Sequence, residues 1–214
     1  MKYKTVIWDF NGTLLSDMDL SVSAMNTVLK RRALLPIPDL SAFRDVFGFP
    51  VEDYYARIGF DFSREPYRIP ADEWVELYSE KMFDCPLTAG ANEALNALKT
   101  AGLSQMILSA SEKARLIKHL EKLPIAEYFD EIHGTGDVYA KGKSDLAKML
   151  SKKAEIFPAV LIGDTDHDLE CAKMIGCDCI LFSEGFMSEK RLRILGVPVF
   201  DSLFEIAKEI INKK

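Results

Sequence analysis

Thr5-Val6-Ile7-Trp8-Asp9-Phe10-Asn11-Gly12-Thr13 is the stretch on which the reading of this chain turns. A short apolar, β-branched run ends at an aspartate, and an Asn-Gly turn pair follows. The pattern is that of a buried strand leading into a loop. A carboxylate at a strand terminus is a candidate nucleophile, because an acyl-phosphate divides one hard displacement into two easier ones. Gly12 permits a tight turn, and the loop N–H groups can approach phosphate oxygens. Taken alone, a capping aspartate beside an Asn-Gly turn explains the same residues equally well, so the rest of the chain must decide.

Working outward, three more segments repeat the apolar strand with polar residues at its carboxyl end. They are Gln105–Leu108 before Ser109, Ala159–Ile162 before Gly163-Asp164, and Cys179–Phe182 before Ser183. Helical patterns lie between them. Asn92–Leu98 stops near Gly102, Ser111–Leu123 and Ser144–Lys153 each open with a serine suited to N-capping, and His167–Ile175 ends at Gly176. Alternating strands and helices imply a Rossmann-like, doubly wound parallel sheet, an α/β fold. Ligands of such sheets bind beyond the carboxyl ends of the strands, so Asp9, Ser109 and Asp164 are expected to meet in space.

The alternation breaks between about Asp17 and Phe83. Met18–Arg32, Val51–Ile58 and Ala71–Phe83 read as helices with no strand pattern between them, and aromatics are dense. This predicts an all-helical domain, 17–83, inserted into an α/β core of 1–16 and 84–214. Leu15-Ser16 and Asp84-Cys85-Pro86 would be its hinges.

Gly163-Asp164-Thr165-Asp166-His167-Asp168 is acid-rich beside a helix start. Asp164 and Asp168 are one helical turn apart and can face one point. Together with Asp9 they would repel one another unless a cation sat between them, and oxygen-only ligands favour Mg²⁺. Acids that merely complement the helix dipole account for at least one of them. His167 is expected to face solvent. Ser109 could hydrogen-bond a phosphate oxygen, while Ser111 is expected to cap the following helix. Lys143 abuts a helix start, where backbone N–H groups already favour anions, and could neutralise Asp9 and phosphate. Lys141, two residues upstream, is its rival.

Bulk properties narrow the class further. The 214 residues carry a formal net charge of −6, with 48% hydrophobic and 28% charged residues. That balance speaks against nucleic acid and acidic membranes as partners, and no apolar run has membrane-spanning length. Cys177 and Cys179 have no second pair with which to form a zinc site and read as small buried hydrophobes. Without disulfide-like spacing or a signal-peptide pattern, the expected location is the cytoplasm, as a monomer or weak dimer.

These residues together resemble the haloacid dehalogenase superfamily of phosphohydrolases. The family pattern is D-x-D-G-T, a Ser or Thr on the second strand, a lysine, then G-D-x-x-x-D. It stands here as Asp9-Phe10-Asn11-Gly12-Thr13, Ser109, Lys143 and Gly163-Asp164…Asp168, in the family's order. An insertion after the first motif is similar to the helical-cap subgroup that includes phosphoglycolate phosphatase. The resemblance implies a phosphatase for a small phosphorylated metabolite, working through a phospho-aspartate on Asp9. Asp9, the backbone carbonyl of Asn11, Asp164 and Asp168 would hold Mg²⁺, while Thr13, Ser109 and Lys143 would hold the phosphate. Phe47-Gly48-Phe49-Pro50 resembles the cap loop that dips toward the active site.

Position 11 departs from the pattern. Family phosphatases carry an aspartate there, which protonates the leaving alkoxide and then activates water. Asparagine keeps a backbone metal ligand but moves no proton, and general acid–base help is worth about 10²–10⁴-fold. Three alternatives follow: a phospho-ligand-binding regulatory protein with little turnover, a phosphomutase, or a dehalogenase that would not need Asp164 and Asp168.

Overall fold

The computed structural model describes residues 1–136 and 143–213; Lys141 lies outside them. The chain runs β1 (Thr5–Trp8), α1 (Met18–Arg31), α2 (Leu40–Val46), α3 (Val51–Arg57), α4 (Arg68–Lys81), α5 (Ala91–Thr100), β2 (Ser104–Glu112) and α6 (Lys113–Lys122). It continues through β3 (Glu131–Thr135), α7 (Ser144–Leu150), β4 (Ala159–Gly163), α8 (Asp166–Ile175), β5 (Asp178–Phe182), α9 (Glu189–Arg193), β6 (Val199–Phe200) and α10 (Leu203–Asn212).

The six strands form one parallel sheet in the order β3-β2-β1-β4-β5-β6. Buried on both faces, β1 sends alternate side chains to opposite sides, as the period of a strand requires. Val6 and Trp8 join Leu95, Leu98 and Ile206 on one face. Ile7 joins Leu161, Ala172 and Ile175 on the other. Each such fully buried aliphatic side chain contributes about 1.5–3 kcal/mol. Inside the first layer, the Trp8 indole donates to Gln105 Oε1 at 3.0 Å, and Gln105 Nε2 donates to the Leu95 carbonyl at 2.9 Å.

β3 and β6 add to the four strands legible in sequence, and α2 adds to the three expected inserted helices. Met18, Val22, Met25 and Leu29 of α1 recur at helical spacing and meet Phe43, Tyr54, Tyr55 and Phe60 in a separate apolar cluster. Phe186, from the loop after β5, completes that cluster. Arg32, just past α1, binds Glu65 at 2.6 Å and Glu73 of α4 at 2.8 Å, tying the inserted helices together. The two connections to the sheet run side by side: Ser16 N donates to the Pro86 carbonyl and Thr88 N to the Leu14 carbonyl, both at 2.9 Å.

Two helix starts differ from expectation. α6 begins at Lys113, after β2 has run on through Ser111, so Ser111 caps nothing. α7 has Lys143 itself at the N-cap position with Ser144 as its first helical residue, and no side chain caps it. No helix among the described residues is long and apolar enough to cross a membrane.

Candidate active site

β1 lies between β2 and β4, and the chain leaves it first toward one edge and later toward the other. That switch point opens a crevice at the carboxyl ends of β1 and β4. Asp9 follows β1 directly, and Asp164 follows β4. Asp9, Asp164 and Asp168 each offer one carboxylate oxygen, and these oxygens lie within 4.8 Å of one another.

Backbone geometry holds the acids in place. Asp168 is the third residue of α8 and forms a capping box with Thr165: its Oδ2 accepts from Thr165 N at 2.9 Å and Thr165 Oγ1 at 2.8 Å. Asp166 and Asp168 both lie in the first turn of α8, where acids complement the helix dipole, and Asp168 closes the capping box. Asp164 accepts from Thr13 Oγ1 at 2.8 Å and from Phe186 N at 2.6 Å. Three glycines are required for this packing: Gly163, Gly12, and Gly185, whose added Cβ would lie 2.2 Å from Asp164 Cβ. A Cβ on Gly163 would lie 2.1 Å from Asp168 Cγ, and one on Gly12 (φ +74°) would lie 2.5 Å from Asp164 Oδ2.

Lys143 is buried, and its three donors are all engaged. Nζ lies 2.7 Å from Asp9 Oδ1, 2.6 Å from Asp168 Oδ1 and 3.1 Å from the Leu108 carbonyl it donates to. Burial alone would favour the neutral amine, but Asp168 and Asp9 hold its pKa above the ordinary lysine value. Burial also acts against ionisation of Asp168, yet Lys143 and the Thr165 donors bring that carboxyl below its usual range. Asp9 is pushed up to about 7, mainly by burial, with Lys143 opposing and Asp168 adding. Asp164 is raised well above the usual range by burial and by the charges of Asp168 and Asp9. One ammonium thus pairs with two of the three clustered carboxylates. The residual negative charge and the oxygen-only donor set fit a hard divalent cation.

Ser109 is fully buried at the rim of the crevice, where its Oγ accepts from Ser111 N at 3.0 Å. Asn11 is held on three sides. Its Nδ2 donates to Asp17 Oδ2 at 2.8 Å and to the Tyr78 hydroxyl at 2.9 Å, and its Oδ1 accepts from Ser111 Oγ at 2.6 Å. Asp17 also accepts from Gly12 N at 2.9 Å and from the Tyr78 hydroxyl at 2.6 Å. Burial raises the Asp17 carboxyl above its usual range, while donors from Tyr78, Asn11 and Gly12 pull the other way. His167 does not face solvent: it is buried and stacks on Phe49, ring centroids 4.6 Å apart.

Asp17, Tyr78, Ser111 and Phe186 were not singled out as site residues from sequence. Asp17 and Tyr78 carry only helix and aromatic signals, and Ser111 reads in sequence as a helix cap. Phe186 acts through its backbone, which no residue type advertises.

A cavity of about 180 Å³ opens from Asp9, Ser109 and Lys143 toward the inserted helices, where Phe47, Tyr54, Tyr67 and Trp74 line it.

The family model for haloacid dehalogenase-like hydrolases matches residues 6–182. The chain belongs to that family. Among curated relatives, this hydrolase is 28% identical over 196 residues to a protein of Dickeya dadantii named probable phosphatase IndB, covering 88% of this chain and 84% of the other. It is 25% identical to a Caulobacter vibrioides protein named phosphoglycolate phosphatase, covering 97% and 91%. Among solved structures, the hydrolase superposes with a TM-score of 0.81 on one described as a predicted phosphatase from Clostridium acetobutylicum. At 23% identity over the full length of both chains, that likeness is one of fold.

Proposed function

We propose that this hydrolase is a Mg²⁺-dependent phosphatase that cleaves a small phosphorylated metabolite through a phospho-aspartate on Asp9. The observation that carries the reading is the side chain of Asp9, ion-paired to Lys143 at the inner end of the cavity and within 4.8 Å of two further acids. The names of its relatives agree with it.

In this reading an Asp9 oxygen attacks phosphorus, the bond to the leaving oxygen breaks, and water then cleaves the acyl-phosphate to return Asp9 and release phosphate. Lys143 favours the ionised form of Asp9 against the effect of burial and offsets charge on the transferring group. Ser109 binds a phosphate oxygen, and Thr13 contributes through its hold on Asp164. Asp9, Asp164, Asp168 and the Asn11 backbone carbonyl are the candidate Mg²⁺ ligands. When bound, the ion supplies the positive charge that Lys143 alone does not, at the phosphate and the acids. Residues 17–83 serve as a lid that excludes water over the reacting atoms. The protein is read as cytoplasmic, acting alone or as a weak dimer; its four cysteines are unpaired.

The test is phosphate release from p-nitrophenyl phosphate, whose phenolate leaves without a proton. Activity that needs Mg²⁺, is stopped by a chelator and is lost in Asp9→Ala supports the proposal. A second reading, a phospho-ligand-binding regulatory protein, is favoured by the engagement of Asn11 in three hydrogen bonds with no acid at that position. Saturable phosphate binding without any release would establish it instead. A phosphomutase would need reversible proton transfer at position 11 more than a phosphatase does.

A further inference from the structure

The cavity beyond the phosphate end has a definite chemistry. Its walls toward the inserted helices are aromatic and aliphatic: Phe47, Tyr54, Tyr67, Trp74, Val75 and Met25. At about 180 Å³ it can hold one ring, since a cavity of about 150 Å³ lined by apolar side chains takes up benzene. The charged side chains lining that end are Asp17, Glu112 and Arg115. Arg115 is committed, at 3.2 Å to Glu112 and by a hydrogen bond to Ser79 Oγ. A carboxylate on the leaving group would therefore meet Asp17 and Glu112, beside an Arg115 already paired with Glu112 and Ser79. The Tyr54 hydroxyl is buried without a hydrogen-bond partner among the described residues, leaving one polar contact for a bound molecule to supply.

Position 11 supplies an independent constraint. With Asn11 where an acid would stand, position 11 gives the leaving oxygen no proton. A phenolic oxygen has a pKa of about 10, whereas water, which aliphatic alcohols resemble, has one of about 15.7. A phenolate leaves unaided far more readily than an alkoxide.

Resting on the phosphatase reading above, we infer that the substrate is an aryl phosphate: a phosphate monoester of an uncharged aromatic ring, joined through a phenolic oxygen. Asp9 forms a bond to phosphorus, the phosphorus–aryl-oxygen bond breaks with its electron pair going to the phenolate, and solvent protonates that oxygen. Water then displaces Asp9 from phosphorus, giving inorganic phosphate and the free carboxylate.

The experiment measures Mg²⁺-supported phosphate release by the full chain from acetyl phosphate, phenyl phosphate, benzyl phosphate, phosphoglycolate and glycerol 3-phosphate. Acetyl phosphate carries an activated leaving group and no ring, so it reports the Asp9 chemistry alone. The expected result is kcat/KM for phenyl phosphate at least 100-fold above phosphoglycolate and glycerol 3-phosphate, with benzyl phosphate matching phenyl phosphate in KM but not in kcat. Trp74→Leu is expected to lower the ratio of phenyl phosphate to acetyl phosphate kcat/KM at least tenfold. Acetyl phosphate turnover with phosphoglycolate or glycerol 3-phosphate equal to phenyl phosphate overturns the aryl assignment and leaves the phosphatase standing. An unchanged ratio in Trp74→Leu, or benzyl phosphate as fast as phenyl phosphate, also overturns it. No Asp9-dependent release from any of the five removes the phosphatase reading, and the aryl assignment with it.

Discussion

The Phe49 ring, in the loop between α2 and α3, stacks on His167 in the first turn of α8, with centroids 4.6 Å apart and planes 29° apart. This contact joins an inserted loop to the helix that carries Asp168. An aromatic pair contributes about 0.5–1.5 kcal/mol beyond area burial, or roughly a 2- to 10-fold shift in the closed population. Phe49→Ala is expected to raise KM by about that factor with a smaller change in kcat. Steady-state kinetics, together with scattering curves with and without a phosphate analogue, check this. An unchanged KM and unchanged curves would show that Phe49 does not hold the inserted helices against α8.

Lys143 engages two carboxylates at once, so its removal acts on both folding and chemistry. Breaking a buried ion pair from one side costs about 3–5 kcal/mol. Lys143→Ala is expected to lose that stability in urea denaturation of the metal-free protein and to lose nearly all turnover. Lys141→Ala is expected to change either little. The reverse ranking would transfer the role to Lys141.

Asp164 offers an oxygen within 4.8 Å of those of Asp9 and Asp168 and is the candidate side-chain ligand of that group. Asp164→Asn is expected to raise the Mg²⁺ concentration for half-maximal activity at least tenfold, because a neutral amide is a poorer ligand for a hard ion. An unchanged metal titration would remove Asp164 from the ligand set.

His119 lies between the rings of Phe10 and Phe83, with centroids 5.3 and 5.2 Å away, and neither of its nitrogens has a partner among the described residues. Burial, and secondarily Lys122, pushes its pKa down to about 4, against about 6.5 when unfolded. Between those values the unfolded chain binds more protons, so stability rises with pH across the window and is lost as pH falls from about 6.5 toward 4. His133 and His167 have lowered pKa values as well, so the comparison must be with a variant. His119→Leu is expected to show a shallower loss of melting temperature between pH 6.5 and 4.5. Parallel curves would mean that another group controls acid sensitivity.

Asn11→Asp would place a second carboxyl beside Asp17, where the amide nitrogen now lies 2.8 Å from Oδ2. Two carboxyls at that separation share a proton, which suits position 11 to act as an acid near neutral pH. Cleavage of alkyl esters is expected to rise by about 10²-fold or more, with little change for p-nitrophenyl phosphate. Equal acceleration of both, or of neither, would show that residue 11 is not a leaving-group acid in this protein.

The sequence exposed those parts of the fold whose pattern is local. β1, β4 and β5 are buried on both faces and read as continuous apolar runs, and the acids at the ends of the first two follow from that placement. β3 is only half-buried and β6 has two residues, so neither generates a run to detect. α2 buries one side chain, Phe43, too few to establish a period. The network around Asn11 was illegible for another reason. Asp17, Tyr78 and Ser111 are far apart in sequence and meet only because α4 packs over the β1 loop and β2 runs on past Ser109 to Glu112.

Phe186 belongs to two structures at once. Its N–H fixes Asp164 at 2.6 Å, while its ring packs against Phe43 and Phe47 at centroid distances of 5.6 and 5.0 Å. Movement of the inserted helices must either drag that ring or tear it from its neighbours, and the peptide that steadies Asp164 is rigidly joined to it. The acidic centre and the inserted helices are therefore geared together at Phe186 as well as at the Phe49–His167 stack: a shift of the aromatic rings is passed to the carboxylate through the Phe186 peptide.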